Sequence, residues 1–189
     1  GEIVFEKVCH AIRNEQLAQY GLHYIEVNLS VAQCSDEKLA ERYIRIMERY
    51  QIDPSNINLE ITESATMEMK QTLLANMEKL IAYGVSFSLD DFGTGYSNFD
   101  RILSLKLDVV KFDRSLLLMA NKDENSQFIL NYFSTAFKKL GYKVLYEGVE
   151  TDEQETICVN SHADYLQGFK FSKPIPIEEL KNFLSPIQE

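Results

Sequence analysis

Six short apolar runs of this sequence each carry, at or near their end, a side chain able to bind a cation or hold a phosphate. These side chains are Asn28, Glu60, the adjacent pair Asp90 and Asp91, Lys111, Glu147 and Gln167. Four carboxylates and the Asn28 amide, with no His or Cys among them, make an oxygen-only donor set. Such a set suits hard cations (Mg²⁺, Mn²⁺ or Ca²⁺) rather than zinc or copper. Two like charges about 4 Å apart repel by roughly 4 kcal/mol at an effective dielectric near 20. Several ionised carboxylates in one site therefore need a metal, or some must stay protonated. The pair Asp90 and Asp91 can reach two ions at once, and two ions clamping an in-line displacement at phosphorus is a recurring solution to phosphodiester hydrolysis. Lys111 adds a positive point charge that could hold a phosphate oxygen or the attacking water. Each residue also has an ordinary reading. A strand-end carboxylate commonly caps the next helix, a lysine among acids can be a structural ion pair, and Gly93 and Gly95 can be turn residues. Six such positions in series favour a shared site.

Alternating strands and helices must position these groups. Residues 3–19 read as a helix with Val4, Val8 and Ile12 on one face, and Tyr24–Asn28 alternates like a strand. Ser35 is placed to cap a helix carrying Leu39, Tyr43, Met47 and Tyr50, and Ile57–Ile61 is the second strand. A helix from about 67 to 83 should bury Leu73, Leu74, Met77, Leu80 and Ile81 and stop at Gly84. Val85–Leu89 is the third strand, ending in a loop from Asp90 to Tyr96 whose two glycines permit close approach to a ligand. Asp108–Phe112 is the fourth. The stretch 124–140 puts Phe128, Ile129, Tyr132, Phe133, Phe137 and Leu140 at helical spacing before Gly141, and Lys143–Glu147 is the fifth strand. Thr151 and Gln154 form a capping box, Asp164–Phe169 is a short sixth strand, and residues 177–184 make a last helix. Such alternation predicts an α/β fold with parallel strands. No GxGxxG follows the first strand, and a (β/α)8 barrel gathers strand-end residues on one face, so the barrel is favoured over a doubly wound sheet.

At 189 residues the chain fits one domain, 1–189, with an ordinary globular composition. Its net charge of −10 offers no basic stripe for a nucleic-acid polymer and suits divalent cations. Cys9, Cys34 and Cys158 are odd in number and form no CxxC, which points to reduced thiols in a cytosolic setting. No apolar stretch is long enough for a membrane helix, and the charged residues that follow Gly1 at once lead to the expectation of no signal peptide in this stretch. The expected location is the cytoplasm, or the cytoplasmic part of a membrane-anchored parent protein.

The runs Val27-Asn-Leu-Ser30, Leu59-Glu-Ile-Thr-Glu-Ser64, Leu89-Asp-Asp-Phe-Gly-Thr-Gly-Tyr-Ser97, Val110-Lys-Phe-Asp113, Glu147-Gly-Val-Glu150 and Gln167-Gly-Phe-Lys-Phe-Ser-Lys-Pro174 resemble, in order and spacing, the successive signatures of the EAL domain. The resemblance covers nearly the whole chain. It implies a TIM-like barrel that hydrolyses cyclic di-GMP to linear pGpG with Mg²⁺ or Mn²⁺, Ca²⁺ binding without supporting catalysis. By position, Asn28, Glu60 and Asp90 would ligate a first metal, and Asp90, Asp91 and Glu147 a second. Glu147 would also be a general base, and Lys111 would orient water or phosphate. Glu63 would brace the glycine loop of Gly93 and Gly95, and Gln167 and Glu150 would support the site or bind guanine. Two departures from the family pattern, Phe112 for isoleucine and Phe169 for tyrosine, remove no ligand.

A larger departure lies at the start. EAL domains carry two further strands before the helix at Gly1, the second holding a Glu-x-Leu metal ligand, and nothing here matches them. The expectation is an incomplete barrel of about six strands, part of a longer protein that could include an upstream sensor or cyclase domain. Alternatives are a homodimer that covers open strand edges and a shortened relative acting as a non-catalytic cyclic di-GMP receptor or protein-interaction module.

Overall fold

Val, Ile, Leu and Phe crowd the runs that become strands, where branched and aromatic side chains fit a pleated, buried surface. The computed structural model describes residues 1–63, 71–95 and 99–184. The strands are β1 (Ile25–Leu29), β2 (Ile57–Thr62), β3 (Ser86–Phe92), β4 (Val109–Phe112), β5 (Lys143–Tyr146) and β6 (Tyr165–Leu166). They are hydrogen-bonded in chain order, and the pairings of β3 with β4, β4 with β5 and β5 with β6 are parallel. Parallel neighbours need crossover connections, and helices supply them. These are α1 (Glu2–Glu15), α2 (Val31–Cys34), α3 (Leu39–Tyr50), α4 (Gln71–Tyr83), α5 (Phe99–Ser104), α6 (Arg114–Ala120), α7 (Glu124–Lys139), α8 (Asp152–Asn160) and α9 (Ile177–Leu184). The α/β fold expected from the alternation is present, with six strands among the described residues.

The chain divides into two compact units. The first comprises Gly1–Glu60, Glu68–Ser86 and Pro174–Glu189; the second comprises Ile61–Met67 and Phe87–Lys173. In the first, α1 packs on α3 and α3 on α4. The buried stripe of α1 is Phe5, Cys9 and Ile12 rather than Val4, Val8 and Ile12. Phe5 stacks on Tyr43 with centroids 3.9 Å apart, and its larger ring takes the inward place while Val4 is left exposed. The helix expected to reach residue 19 ends at Glu15, because Gln16 turns left-handed (φ 51) and closes it, and Leu17–Tyr20 is a 3-10 turn. Ser35 does not cap a helix N-terminus. Ser30 does, its hydroxyl accepting from Gln33 N while the Gln33 side chain reaches back, so that Val31–Cys34 forms an extra turn that Ser35 closes. In α4, Leu73, Met77 and Leu80 are buried, whereas Leu74 and Ile81 are half-buried. Asn76 takes the remaining inward position because Ala40 N donates to its Oδ1 and its Nδ2 donates to Asp36 O. Positions 67–70 of the expected helix lie outside the described residues.

The second unit is built on an aromatic row. Phe92 pairs with Phe112, and Phe112 with Tyr146, in the registers of β3, β4 and β5. Phe137 of α7 meets Phe92 and Phe112 edge-on, at 4.9 and 5.9 Å between centroids. This row marks the helix-covered side of the strands. The alternation passed over α5 and α6; Asp113 caps α6 by accepting from Ser115 N. Strand β6 is shorter than the expected Asp164–Phe169, because after Gln167 N bonds to Tyr146 O at the end of β5 the chain pairs with Val149 of the following turn. The capping box of Thr151 and Gln154 starts α8 as read. On α7, Phe128, Ile129 and Tyr132 are exposed despite their helical spacing. All three cysteines are free and buried, and burial pushes the Cys9 and Cys158 thiols up to about 12. Among the described residues no helix is long and apolar enough to cross a membrane.

Candidate functional site

Side chains on a regular strand alternate between faces. Val110 and Phe112 point to the aromatic side of β4, so Lys111 points to the other. Leu89 pairs with Val110 and shares its face, which puts Asp90 on the Lys111 side. Regular alternation would then turn Asp91 toward the helices. The strand does not alternate there: three residues from Leu89 to Phe92 span two from Val110 to Phe112. This bulge is completed by Asp91 in the left-handed region, φ 59, a conformation that Asp tolerates better than most side chains. A bulge re-aims side chains. Here both adjacent carboxylates reach the same face, and Phe92 still reaches the aromatic row.

On β5, Leu145 pairs with Lys111, so Glu147, two residues on, also faces Lys111. Asp90, Asp91 and Glu147 each offer an oxygen, all within 4.8 Å of one another. Lys111, only 3% exposed, sits against them. Its Nζ is 2.9 Å from Glu147 Oε1 and 3.2 Å from Asp90 Oδ1. Burial, then the charges of Asp90 and Asp113, push the Asp91 carboxyl above the ordinary carboxylate range, with Lys111 opposing. Three carboxylates against one ammonium leave a cation deficit if all are ionised. Asp90 Oδ1 is buried and, beyond its ion pair with Lys111, accepts no hydrogen bond. The donor chemistry and this spare acceptor fit a divalent cation held by oxygen ligands.

The neighbouring residues are placed as follows. Glu63, directly after β2, is buried, and its Oε2 accepts from Gly93 N at 3.1 Å. Gly93 has φ 99, a backbone that strains any other side chain, and a Cβ there would fall 2.6 Å from Leu116 Cδ1 and force that leucine to shift. Gly95 lies near Glu63, its notional Cβ 3.6 Å from Oε1. Tyr96, Ser97 and Ser64 of the motifs lie outside the described residues. Asn28, exposed on β1, and Glu60, buried in β2, belong to the first unit. Glu150 is not in the carboxylate cluster; its Oε2 is 2.8 Å from Arg114 Nη2. Gln167 is exposed, and its backbone donates to Tyr146 O and accepts from Val149 N. Sequence reasoning missed Arg114, because its partner lies 36 positions away and no local pattern links them.

Fold and cluster together define a β/α protein with three carboxylates, Asp90, Asp91 and Glu147, gathered around a lysine at the ends of its strands. The model of the EAL domain family matches residues 1–174, and the chain belongs to that family. It is 32% identical over 181 residues to the cyclic di-GMP phosphodiesterase NbdA of Pseudomonas aeruginosa, covering 96% of this chain and 23% of that protein. The bifunctional diguanylate cyclase/cyclic di-GMP phosphodiesterase MucR of the same organism is 32% identical over 180 residues, with 95% and 26% covered. The chain thus spans about a quarter of the length of these relatives. Among solved structures, the PaMucR phosphodiesterase in complex with c-di-GMP superposes with a TM-score of 0.87 at 32% identity, over 95% of this chain and 73% of that one. The EAL domain of Mycobacterium smegmatis DcpA gives 0.89 at 28%, over 97% and 83%.

Proposed function

We propose that this chain is the phosphodiesterase module of a protein that hydrolyses cyclic di-GMP to linear pGpG. The observation that carries the reading is the cluster of Asp90, Asp91 and Glu147 around buried Lys111. It is supported by the relatives named as cyclic di-GMP phosphodiesterases. Asp90, Asp91 and Glu147 would hold one Mg²⁺ or Mn²⁺, and the family resemblance adds Asn28 and Glu60 as further ligands. Bound divalent cations neutralise the phosphodiester and acidify water. The chain's own groups do the rest. Glu147 is the base that takes the proton of the attacking water, Lys111 holds a phosphate oxygen, and Glu63 fixes the Gly93 loop beside the carboxylates. Water adds to phosphorus as the P–O3′ bond breaks, and the freed 3′ oxygen takes up one proton in place of the one Glu147 removed, so that one water is consumed per bond.

The test uses the whole protein in which this chain occurs. With Mn²⁺, wild type should convert cyclic di-GMP to the linear dinucleotide, and Glu60→Ala and Asp90→Ala should abolish turnover, a loss of at least about 10³-fold. Full turnover in both variants refutes the ligand roles. Tight binding without product in the wild type would replace the enzyme with a receptor.

A further inference from the structure

Glu147 leaves β5 into a turn that is held on every side. Glu147 N donates to Phe112 O at 3.1 Å, and Val149 N to Gln167 O at 3.0 Å. Glu150 N donates to Gln154 Oε1 at 2.7 Å. The middle of the turn, Gly148, has φ 68. A Cβ built there would lie 2.5 Å from Arg114 Cγ and 2.7 Å from Arg114 Cβ and Cδ. The stem of Arg114 therefore lies directly on the Gly148 backbone, in the space a side chain would fill. Beyond it the guanidinium reaches Glu150, 2.8 Å from Nη2 to Oε2. Arg114 opens α6, three residues after Lys111, so one junction carries both the lysine that contacts Glu147 and the arginine that covers its turn.

We propose that Arg114 is a positioning residue for Glu147: packed over Gly148 and tied to Glu150, it fixes the turn that sets the Glu147 carboxylate against Lys111 and the cation cluster. The ion pair adds little to stability, since both partners are partly exposed, but it fixes where the guanidinium and its stem lie. Its leverage is geometric. Groups that orient a metal ligand typically change metal affinity or activity by roughly 10- to 100-fold when removed. Glu150 on this view acts through Arg114 rather than by touching guanine.

The rate arm of the test rests on the phosphodiesterase reading; the metal arm does not. In the whole protein, Arg114→Ala should weaken Mn²⁺ binding by calorimetry and lower kcat by about tenfold each, with KM changed by less than about twofold. Arg114→Lys, which keeps the stem and one donor, should recover most of both. The double variant Arg114→Ala/Glu150→Gln should be no worse than Arg114→Ala alone. Wild-type Mn²⁺ affinity in Arg114→Ala overturns the proposal. So does a rise in KM for Glu150→Gln that Arg114→Ala does not share, because Glu150 would then address the ligand. Should Arg114→Ala fail to fold, Glu150→Gln, which leaves the stem in place, decides: weakened Mn²⁺ binding supports the proposal and unchanged binding refutes it. If the wild type does not cleave cyclic di-GMP, the phosphodiesterase reading fails and the Mn²⁺ titrations alone decide the role of Arg114.

Discussion

Asp91 carries two costs at once: a left-handed backbone and a carboxyl whose ionisation is disfavoured by burial and by Asp90. Its native pKa is raised, so the folded state binds the proton more tightly than the unfolded chain. That contribution to stability is fully present below the unfolded carboxylate range and is lost as pH rises through the raised native value. Asp91→Asn keeps a side chain that tolerates φ 59 and removes the charge. The variant should therefore melt higher than wild type at neutral pH in metal-free buffer, and the gain should vanish at acid pH. An equal or lower melting temperature at neutral pH would show that the repulsion is already relieved by Lys111. With Mn²⁺ present the order should reverse, because the wild type gains a ligand that the asparagine weakens. The sequence shows two adjacent acids but not the bulge that lets both face one way, since nothing local distinguishes Asp90-Asp91 in a loop from Asp90-Asp91 in a distorted strand.

At the scale of elements, the aromatic row fixes where the strands end. Phe137 is 2% exposed and touches Phe92 and Phe112, the residues flanking Asp91 and Lys111. Phe137→Ala should cost about 3–5 kcal/mol in urea unfolding. A cost under about 1 kcal/mol would mean the row can close over the gap. The strands were legible because their apolar runs are short and bounded, and the capping box of α8 because Thr151 and Gln154 stand three apart. The rest was hidden for identifiable reasons. Val4 has the right spacing to be inside, but Phe5 has the ring that stacks. Ser35 looks like a cap, but Ser30 and Gln33 cap first. Phe128, Ile129 and Tyr132 stand at helical spacing with the buried Phe137, yet they are exposed. Short α5 and α6 span too few residues for periodicity to show.

For the whole molecule, the acidic balance of −10 and the cluster around Lys111 lead to one prediction about metal. A cation that binds only the folded state stabilises it by about 2.7 kcal/mol at one hundred times its Kd. Mn²⁺ should raise the melting temperature, EDTA should reverse the rise, and Asp90→Ala should abolish it. No shift in the wild type would remove the cluster as a metal site. Asp90, Asp91, Lys111 and Glu147, which meet in the structure, were legible by type and by order along the chain. Their convergence was only partly so, because Glu150 and Arg114 meet through tertiary folding that no motif encodes.

The bulge in β3 has a hereditary consequence. It is a single surplus residue, so losing the codon for Asp91 would leave Leu89, Asp90 and Phe92 in plain alternation, with the aromatic row intact. The lineage would keep its fold and its lysine, and would shed one acid without any side chain having to be replaced. On the proposed phosphodiesterase reading that deletion removes one cation ligand, so relatives that no longer hydrolyse should show a gap here more often than elsewhere in the sheet.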